Sequence, residues 1–469
     1  MHISKKNIST WLHLGAGAFF RAHQAWYLNQ LRREGNNDWH MALANIRNSS
    51  TQKTLQQLKA QHGRYTLETI SPEGELNYET IDAVDQILLW DSRLASTVAI
   101  GADPSTKIIS FTVTEGGYFL DDDGHLELSH PAVRADLHDE GEINTLYGAL
   151  TLILIARQQQ QSGPLTLLCC DNLRQNGDSF SQGMIEFLTA KQRPDLIDWM
   201  QRNTSAPNSM VDRITPKFDE ALYARLQKQG ISGDAAPLSC ESFARWVIED
   251  HFASDRPELE RVGVEFVDDV TTIEEAKIRL LNASHSGIAW AGALHGRRYI
   301  DESLPGHVTN WIRDYVLQDV GAALQQRGVE LDLPAECDSV LARFGNRWVR
   351  DTVARVSSDS IAKLHGFIVP TLKDCYGQEK IPQATLRLPA LFFLFMQRHH
   401  NGDLPFSYED RAIDSMDVDG IFSARDPLAA FAAQPALFGT VRRQNAFADH
   451  LRSAVDEVES TLAASHKGR

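Results

Sequence analysis

Residues 10–23 read Thr-Trp-Leu-His-Leu-Gly-Ala-Gly-Ala-Phe-Phe-Arg-Ala-His, and this string decides the fold. Residues 10–14 are mostly bulky and apolar with no turn residue among them, the pattern of a short buried strand. Gly15 and Gly17 break that pattern, and a helix is expected to follow through Trp26, Tyr27 and Leu31. Strand, glycine-rich turn and helix make the opening of a dinucleotide-binding unit. The glycines allow a tight turn, and the helix N-terminus faces a pyrophosphate. The fit is imperfect at Phe20, which stands where G-x-G-x-x-G has its third glycine and is too large for close strand–helix packing. Alone, the string also suits an ordinary βα turn.

Downstream stretches extend the α/β pattern. Residues 40–46 read as a second strand. An acidic residue is expected at its end to bind the adenosine ribose, but residues 45–50 contain none. Asn48 can bond a ribose hydroxyl there, and Arg47 can neutralise a phosphate or stack on adenine; a solvated polar loop is the alternative reading. Residues 65–70 and 76–81 suggest a hairpin. A β-branched strand at 107–113 runs into Thr-Glu-Gly-Gly-Tyr, and a buried strand at 165–170 delivers Asp171 and Asn172 to a loop. Ligand groups in open α/β sheets gather at such strand ends. Residues 210–216, Met-Val-Asp-Arg-Ile-Thr-Pro, put Asp212 beside Arg213, which reads most simply as a surface ion pair. A last strand is expected at 262–267, and the chain after Asp269 reads as helical. The fold class is therefore α/β, with a Rossmann-like dinucleotide-binding domain at 1–270 and a mainly α-helical domain at 271–469.

Just past that join comes Glu-Glu-Ala-Lys-Ile-Arg-Leu-Leu-Asn-Ala-Ser-His, residues 274–285. Thr271 and Thr272 precede Glu274 and Glu275 at capping-box spacing. On an α-helical wheel of about 100° per residue with Lys277 at zero, Glu274 falls near ~60°, His285 near ~80° and Asn282 near ~140°. One side of the helix, with a distorted end, can then present a base, an amide, an imidazole and a carboxylate. That set suits removal of a proton from an alcohol. A lysine serves as base near neutral pH when burial or a nearby cation lowers its pKa. An asparagine amide donates to an oxygen gaining negative charge, and a histidine orients or shares the proton. Taken by itself, the spacing more readily fits an amphipathic surface helix with a solvated lysine.

Composition narrows the partners. The 469 residues suffice for two or three domains. A net charge of −16 argues against nucleic acid or an anionic membrane as the main partner. No apolar run reaches the length of a membrane span, and Gly15, Gly17 and Arg21 interrupt the N-terminal apolar stretch where a signal peptide would be sought. The five cysteines show no framework spacing, so reduced, buried thiols and a cytoplasmic location are expected. No cysteine–histidine cluster has zinc spacing, and no metal is expected. A Tyr-x-x-x-Lys pair at Tyr376 and Lys380 lies in the helical half and reads as coincidence. Nothing in the sequence requires an oligomer.

Five stretches carry a resemblance to the mannitol dehydrogenase family of long-chain, metal-independent polyol dehydrogenases: WLHLGAGAFFRAHQAWYL (11–28), FTVTEGGY (111–118), PLTLLCCDNLRQNG (164–177), MVDRITP (210–216) and AKIRLLNASHSGIAWAG (276–292). MVDRITP is similar to the family signature, and the Lys-x4-Asn-x2-His spacing of Lys277, Asn282 and His285 to its catalytic pattern. The resemblance implies that Lys277 is the general base, that Asn172 and Asn282 hold the reacting oxygen, that His285 orients substrate and lysine, and that Glu274 relays the proton to solvent. It implies Asp212, Arg355 and Lys363 as ligands of polyol hydroxyls, and Gly15, Gly17, Phe19 and Arg21 as cofactor ligands. It further implies NAD as cofactor and oxidation of a secondary alcohol of a polyol to a ketose. The sequence departs from the family at residues 45–50, where members that use NAD often carry an acid. A relative acting on a different polyol or a sugar acid, and a non-catalytic dinucleotide sensor, are the other readings; a sensor would not need the lysine.

Overall fold

The computed structural model describes residues 8–48, 51–121, 124–139, 141–216, 218–329, 331–410, 412–413 and 416–467; Ser49 and Ser50, the end of the acid-free loop, lie outside them. The chain divides into two compact units, Met1–Ile70 with Leu76–Thr271, and Ser71–Glu75 with Thr272–Arg469.

The first unit is built on a six-stranded sheet of Ser9–Leu14, Trp39–Ala44, Val84–Leu88, Thr106–Phe111, Leu165–Cys169 and Thr204–Ser205. All neighbours run parallel. Numbered by chain position, the order across the sheet is third, second, first, fourth, fifth, sixth, that of a doubly wound dinucleotide-binding sheet. A parallel sheet is covered on both faces, so its strands are apolar on both sides. Alternate residues accordingly feed separate cores. Trp11, Met41, Leu43, Ile108 and Leu168 enter one. Leu12, Leu14, Ala42, Ala44, Ile109, Phe111 and Leu167 enter the other, with Leu150, Leu154, Phe180 and Phe187 from the helices Leu146–Gln160 and Asn176–Ala190. This all-apolar pattern explains why Val84–Leu88, short and interrupted by Asp85 and Gln86, escapes notice in the sequence.

Two small sheets complete the unit. Tyr65–Ile70 and Leu76–Ile81 form the expected antiparallel hairpin, and Leu238–Glu241 adds parallel to the first of them. Ser209–Asp212 pairs antiparallel with Arg245–Glu249, which Glu265–Val267 extends. Asp212 and Arg213 are both buried, and the surface ion pair expected of them is not what forms. Adjacent residues of a strand point to opposite faces. Arg213 Nη1 donates to Ala22 O (2.6 Å), Nε donates to Glu241 O (3.1 Å), and the guanidinium lies 4.6 Å from the Trp26 ring centroid.

In the second unit the described regular elements are all helices, apart from a single bridge between Tyr299 and Thr352. Its centre is Ala283–Leu294, apolar on all sides and buried along most of its length, as expected of a helix surrounded by others. It packs against Val353–Ser357, Gln383–Asn401 and His307–Asp314, and Trp290 Nε1 donates to Ser360 Oγ at 2.8 Å. Among the described residues no helix is long and apolar enough to cross a membrane. All five cysteines are free and buried.

Candidate active site

The glycine loop leaves the first strand where its chain direction must reverse. Gly15 takes φ +118°, and a Cβ there would collide with the Thr112 carbonyl oxygen, so only glycine fits. Gly15 N donates to Ala44 O (2.8 Å), Ala16 N to Asn45 Oδ1 (3.2 Å), and Thr112 N to Leu14 O (3.0 Å). These bonds tie the loop to the ends of the second and fourth strands. Gly17 is the N-cap of Ala18–Ala22, with no side chain capping the helix, and a Cβ there meets nothing within 4 Å. Uncapped amides beside open space at the carboxyl end of the sheet fit a dinucleotide phosphate. Phe20 is accommodated because its ring stacks on His13, centroids 3.9 Å apart. His13 is fully buried, and its Nδ1 and Nε2 lie 2.7 Å and 3.1 Å from Ser110 Oγ and Thr112 Oγ1. Burial holds His13 well below its usual pKa, hence neutral. Glycine-sized packing is thus replaced by an aromatic pair between strand and helix.

The other expected cofactor residues divide between loop and core. The Phe19 ring stacks on His23 with centroids 4.9 Å apart. Arg21 is buried, its Nη1 donating to Ala236 O (2.7 Å) and its guanidinium 5.4 Å from the Tyr65 ring centroid. Arg47 and Asn48 are exposed beyond the second strand. Replacing Gly15 with alanine should cost ~1–3 kcal/mol in strain and weaken dinucleotide binding at least ~10-fold, read by fluorescence titration of NADH. Unchanged affinity would show that the loop does not hold the cofactor.

Asn172 is exposed on the loop after the fifth strand. Beside it, Asp171 accepts from Val113 N (2.8 Å), Thr114 N (3.1 Å) and Tyr118 Oη (2.6 Å), and burial pushes its carboxyl up to about 6. Thr114 is held at φ +64°. Asn176 links the fifth strand to the Asp212 strand: its Nδ2 donates to Cys169 O (3.3 Å) and Ser209 O (2.9 Å), and its Oδ1 accepts from Ser209 N at 2.8 Å.

In the second unit the helix Thr271–Lys277 continues into a π-helical turn, Ile278–Asn282, and then into Ala283–Leu294. Asp269 Oδ1 accepts from Thr271 N at 2.8 Å where the helix begins. Within the π turn Ala283 N donates to Ile278 O, five residues back. This changes the wheel drawn from the sequence. With i→i+5 bonding, residues five apart stack as residues four apart do in an α-helix. Asn282, expected far around the cylinder from Lys277, returns to the side of Lys277, and His285, three residues further, follows it. Lys277, Asn282 and His285 are partly exposed, while Ile278, Arg279, Leu280, Leu281, Ala283 and Ser284 are buried. Glu274, three residues before Lys277, is only 5% exposed. The segment is not the solvated surface helix that its spacing alone favours. The turn leaves the Arg279 carbonyl to accept from Tyr315 Oη (3.0 Å), and the buried Arg279 side chain binds Glu275 (2.8 Å) and Asp374 (2.6 Å).

His285 stacks on Phe344, centroids 4.4 Å apart, and its Nε2 lies 3.4 Å from Asp351 Oδ2. Burial lowers its pKa; Asp351 raises it, and Arg355 and Lys363 lower it further. Arg355 grips Asp351 with two nitrogens, Nε to Oδ1 at 2.6 Å and Nη2 to Oδ2. Burial opposes the Asp351 charge, yet the Arg355 guanidinium holds its carboxyl well below the usual range. Lys363 Nζ donates to Val356 O (2.9 Å) and Ser358 O (2.5 Å). Asp351 is the residue that reading the sequence missed, although its four-residue spacing from Arg355 is visible there. Tyr376 and Lys380 do not form a dyad: Tyr376 Oη lies 3.0 Å from His450 Nδ1, and Lys380 pairs with Asp319 at 3.0 Å. Among the described residues no group of three or more His, Cys, Asp and Glu side chains could hold a metal ion.

Comparison with known proteins agrees with both units. Residues 9–261 match the mannitol dehydrogenase Rossmann domain and residues 269–459 the mannitol dehydrogenase C-terminal domain. D-arabinitol 4-dehydrogenase of Klebsiella pneumoniae is 49% identical over 97% of this chain and 99% of its own. The enzyme of the same name from Ralstonia nicotianae is 44% identical, covering 97% of each chain. The Pseudomonas fluorescens mannitol 2-dehydrogenase, solved as a ternary complex with NAD and D-mannitol, superposes with a TM-score of 0.86 at 29% identity, covering 98% of this chain and 95% of that one. Both units thus match family models, and relatives align along nearly the whole chain, so the chain belongs to the mannitol dehydrogenase family.

Proposed function

We propose that this chain is a NAD-dependent polyol dehydrogenase that oxidises D-arabinitol to D-xylulose, using Lys277 as general base and no metal. The observation that carries the reading is the π turn, which puts Lys277, Asn282 and His285 on one partly open face. The substrate rests on the relatives at 49% and 44% identity. The cofactor rests on the fit of the glycine loop and on the NAD complex of the structural relative.

A bound nicotinamide supplies the hydride acceptor for the carbinol carbon. The chain's own residues manage the proton and the charge. Lys277 Nζ takes the hydroxyl proton, and the buried Glu274 carboxylate passes it toward solvent. Asn282 and Asn172 donate amide N–H to the oxygen as it becomes a carbonyl. Asp212, Arg355 and Lys363 bind the remaining hydroxyls, and His285 orients the reacting one. Gly15, Gly17, Phe19 and Arg21 shape the cofactor loop, with Arg47 and Asn48 at the adenosine ribose. The buried free thiols suit a cytoplasmic enzyme.

The test is NADH release with a panel of polyols. D-arabinitol should give the highest kcat/KM; a higher value for D-mannitol would move the assignment to mannitol 2-dehydrogenase, and no turnover with any polyol would overturn it. Oxidation should rise with pH and ketose reduction should fall, because Lys277 must be neutral to accept the proton and charged to return it. His285 does not produce that rise, since burial keeps its pKa below the ordinary value and it is already neutral there. The same pH dependence in both directions would exclude Lys277 as the base.

Cofactor choice is open to a charge test. NADP carries a 2′-phosphate that a carboxylate repels and an arginine attracts. With Arg47 and Asn48 exposed at that loop and no acid, NAD preference should be modest. Asn48→Asp should sharpen it by ~1–3 kcal/mol, read as kcat/KM for both cofactors. Unchanged selectivity would mean that residues 47 and 48 do not face the ribose.

A further inference from the structure

The Asp351 carboxylate has two partners of different kinds. Arg355 grips both of its oxygens from four residues along the chain, which fixes the plane of the carboxylate. One of those oxygens, Oδ2, lies 3.4 Å from His285 Nε2. The opposite constraint on the imidazole is the Phe344 ring, stacked at 4.4 Å. Asp351 is itself buried, 6% exposed, and its backbone carbonyl accepts from Ile300 N at 3.0 Å. The carboxylate therefore stays put while the imidazole faces it. At 3.4 Å the contact is slightly long for a hydrogen bond, and the buried Nε2 makes none in this structure; such contacts in ligand-free sites commonly tighten when substrate binds.

We propose that Asp351 is a positioning residue for His285: it accepts a hydrogen bond from Nε2–H, fixes the imidazole in the Nε2–H tautomer and leaves Nδ1 as a hydrogen-bond acceptor for a substrate hydroxyl. This rests on the dehydrogenase reading for its consequence, but not for the geometry. A carboxylate can only accept, so the nitrogen facing it must carry the proton. Arg355 then has a second task besides any contact with substrate, since it anchors the carboxylate that aims the histidine. Asp351, Arg355 and Lys363 act electrostatically on His285, and Lys277 shares its face of the helix. Neutralising Asp351 removes the anion and leaves the cations around the ring, so His285 should become harder to protonate in the variant.

Asp351→Asn tests the idea because an amide can donate where the carboxylate only accepts, which favours the opposite tautomer. Oxidation of polyol should lose on the order of 10–100-fold in kcat/KM, as for other removed orienting partners, with NADH affinity unchanged. In a His285→Ala background the same substitution should cost less than ~2-fold. Losses that multiply would overturn the proposal, because Asp351 would then act independently of His285. The decisive measurement needs neither turnover nor the variant. Nitrogen-15 shifts of histidine-labelled parent protein, with His285→Ala to assign the signal, should show Nε2 protonated and Nδ1 bare. A proton on Nδ1 in the parent would sink the proposal even if the variant fails to fold. If the parent shows the Nε2–H tautomer but turns over no polyol, the positioning stands and the dehydrogenase reading fails.

Discussion

Lys277→Ala should lower kcat for polyol oxidation ~10²–10⁴-fold, the usual loss when a positioned acid–base group is removed. The fold should not change. Lys277 ends the helix Thr271–Lys277, where its side chain is partly exposed, and alanine is the best helix former. The bonds that hold the π turn, from Ala283 N to Ile278 O and from Tyr315 Oη to the Arg279 carbonyl, do not involve its side chain. NADH affinity should also be retained, because the loop that fits the dinucleotide begins at Gly15. The check is steady-state kinetics beside an NADH titration and a thermal melt. A variant that turns over within a factor of two of the parent would remove Lys277 from the mechanism. One that has lost NADH binding or melts early would leave the kinetic loss without chemical meaning.

The second large effect is on stability and lies far from the chemistry. Arg157 is fully buried near the end of the helix Leu146–Gln160. Nη1 donates to the carbonyls of Gly101 (2.8 Å), Asp103 (3.2 Å) and Thr106 (3.2 Å). Nη2 donates to those of Ser162 (3.2 Å), Gly163 (3.1 Å) and Pro164 (3.3 Å). Burial pushes its pKa down to about 10, so it is still a cation at neutral pH. The guanidinium joins the amino ends of the strands Thr106–Phe111 and Leu165–Cys169, and each carbonyl it leaves buried and unbonded carries a desolvation cost. Arg157→Ala should destabilise the protein by roughly 3–5 kcal/mol, and Arg157→Lys by less, since an ammonium offers three donors without the planar fork. Chemical denaturation measures this. Because the loops of the candidate site leave the opposite, carboxyl ends of these strands, kcat at a temperature where the variant is folded should match the parent. A midpoint shift below ~1 kcal/mol would show that water replaces the guanidinium at these carbonyls.

What could be read before folding was what depends on neighbours in the chain. The run at 10–23 specifies strand, turn and helix because Gly15 and Gly17 permit a tight turn and the flanking residues are apolar. The hairpin at Tyr65–Ile70 and Leu76–Ile81 and the strands before Thr112 and Cys170 follow from the same local rules. So does the presence of lysine, asparagine and histidine within nine residues of one helix. The resemblance of those stretches to a known family needed no coordinates either.

Only the tertiary structure decided how these parts are used. Phe20 breaks the glycine pattern, yet it fits because His13 offers a ring to stack on, and no rule of spacing anticipates that pair. Arg213 abandons its neighbour Asp212 for carbonyls and an indole distant in sequence. Asn282 joins Lys277 only through the π turn, which a fixed helical period cannot express. The turn persists because the buried Tyr315 hydroxyl bonds the Arg279 carbonyl and the helix beyond it is enclosed on all sides. Asp351 meets His285 across sixty-six residues of chain. A sequence shows which side chains are available and what the backbone does over a few residues; which of them share a buried environment is set by packing between distant segments, where the cost of unpaired polar groups selects the partners.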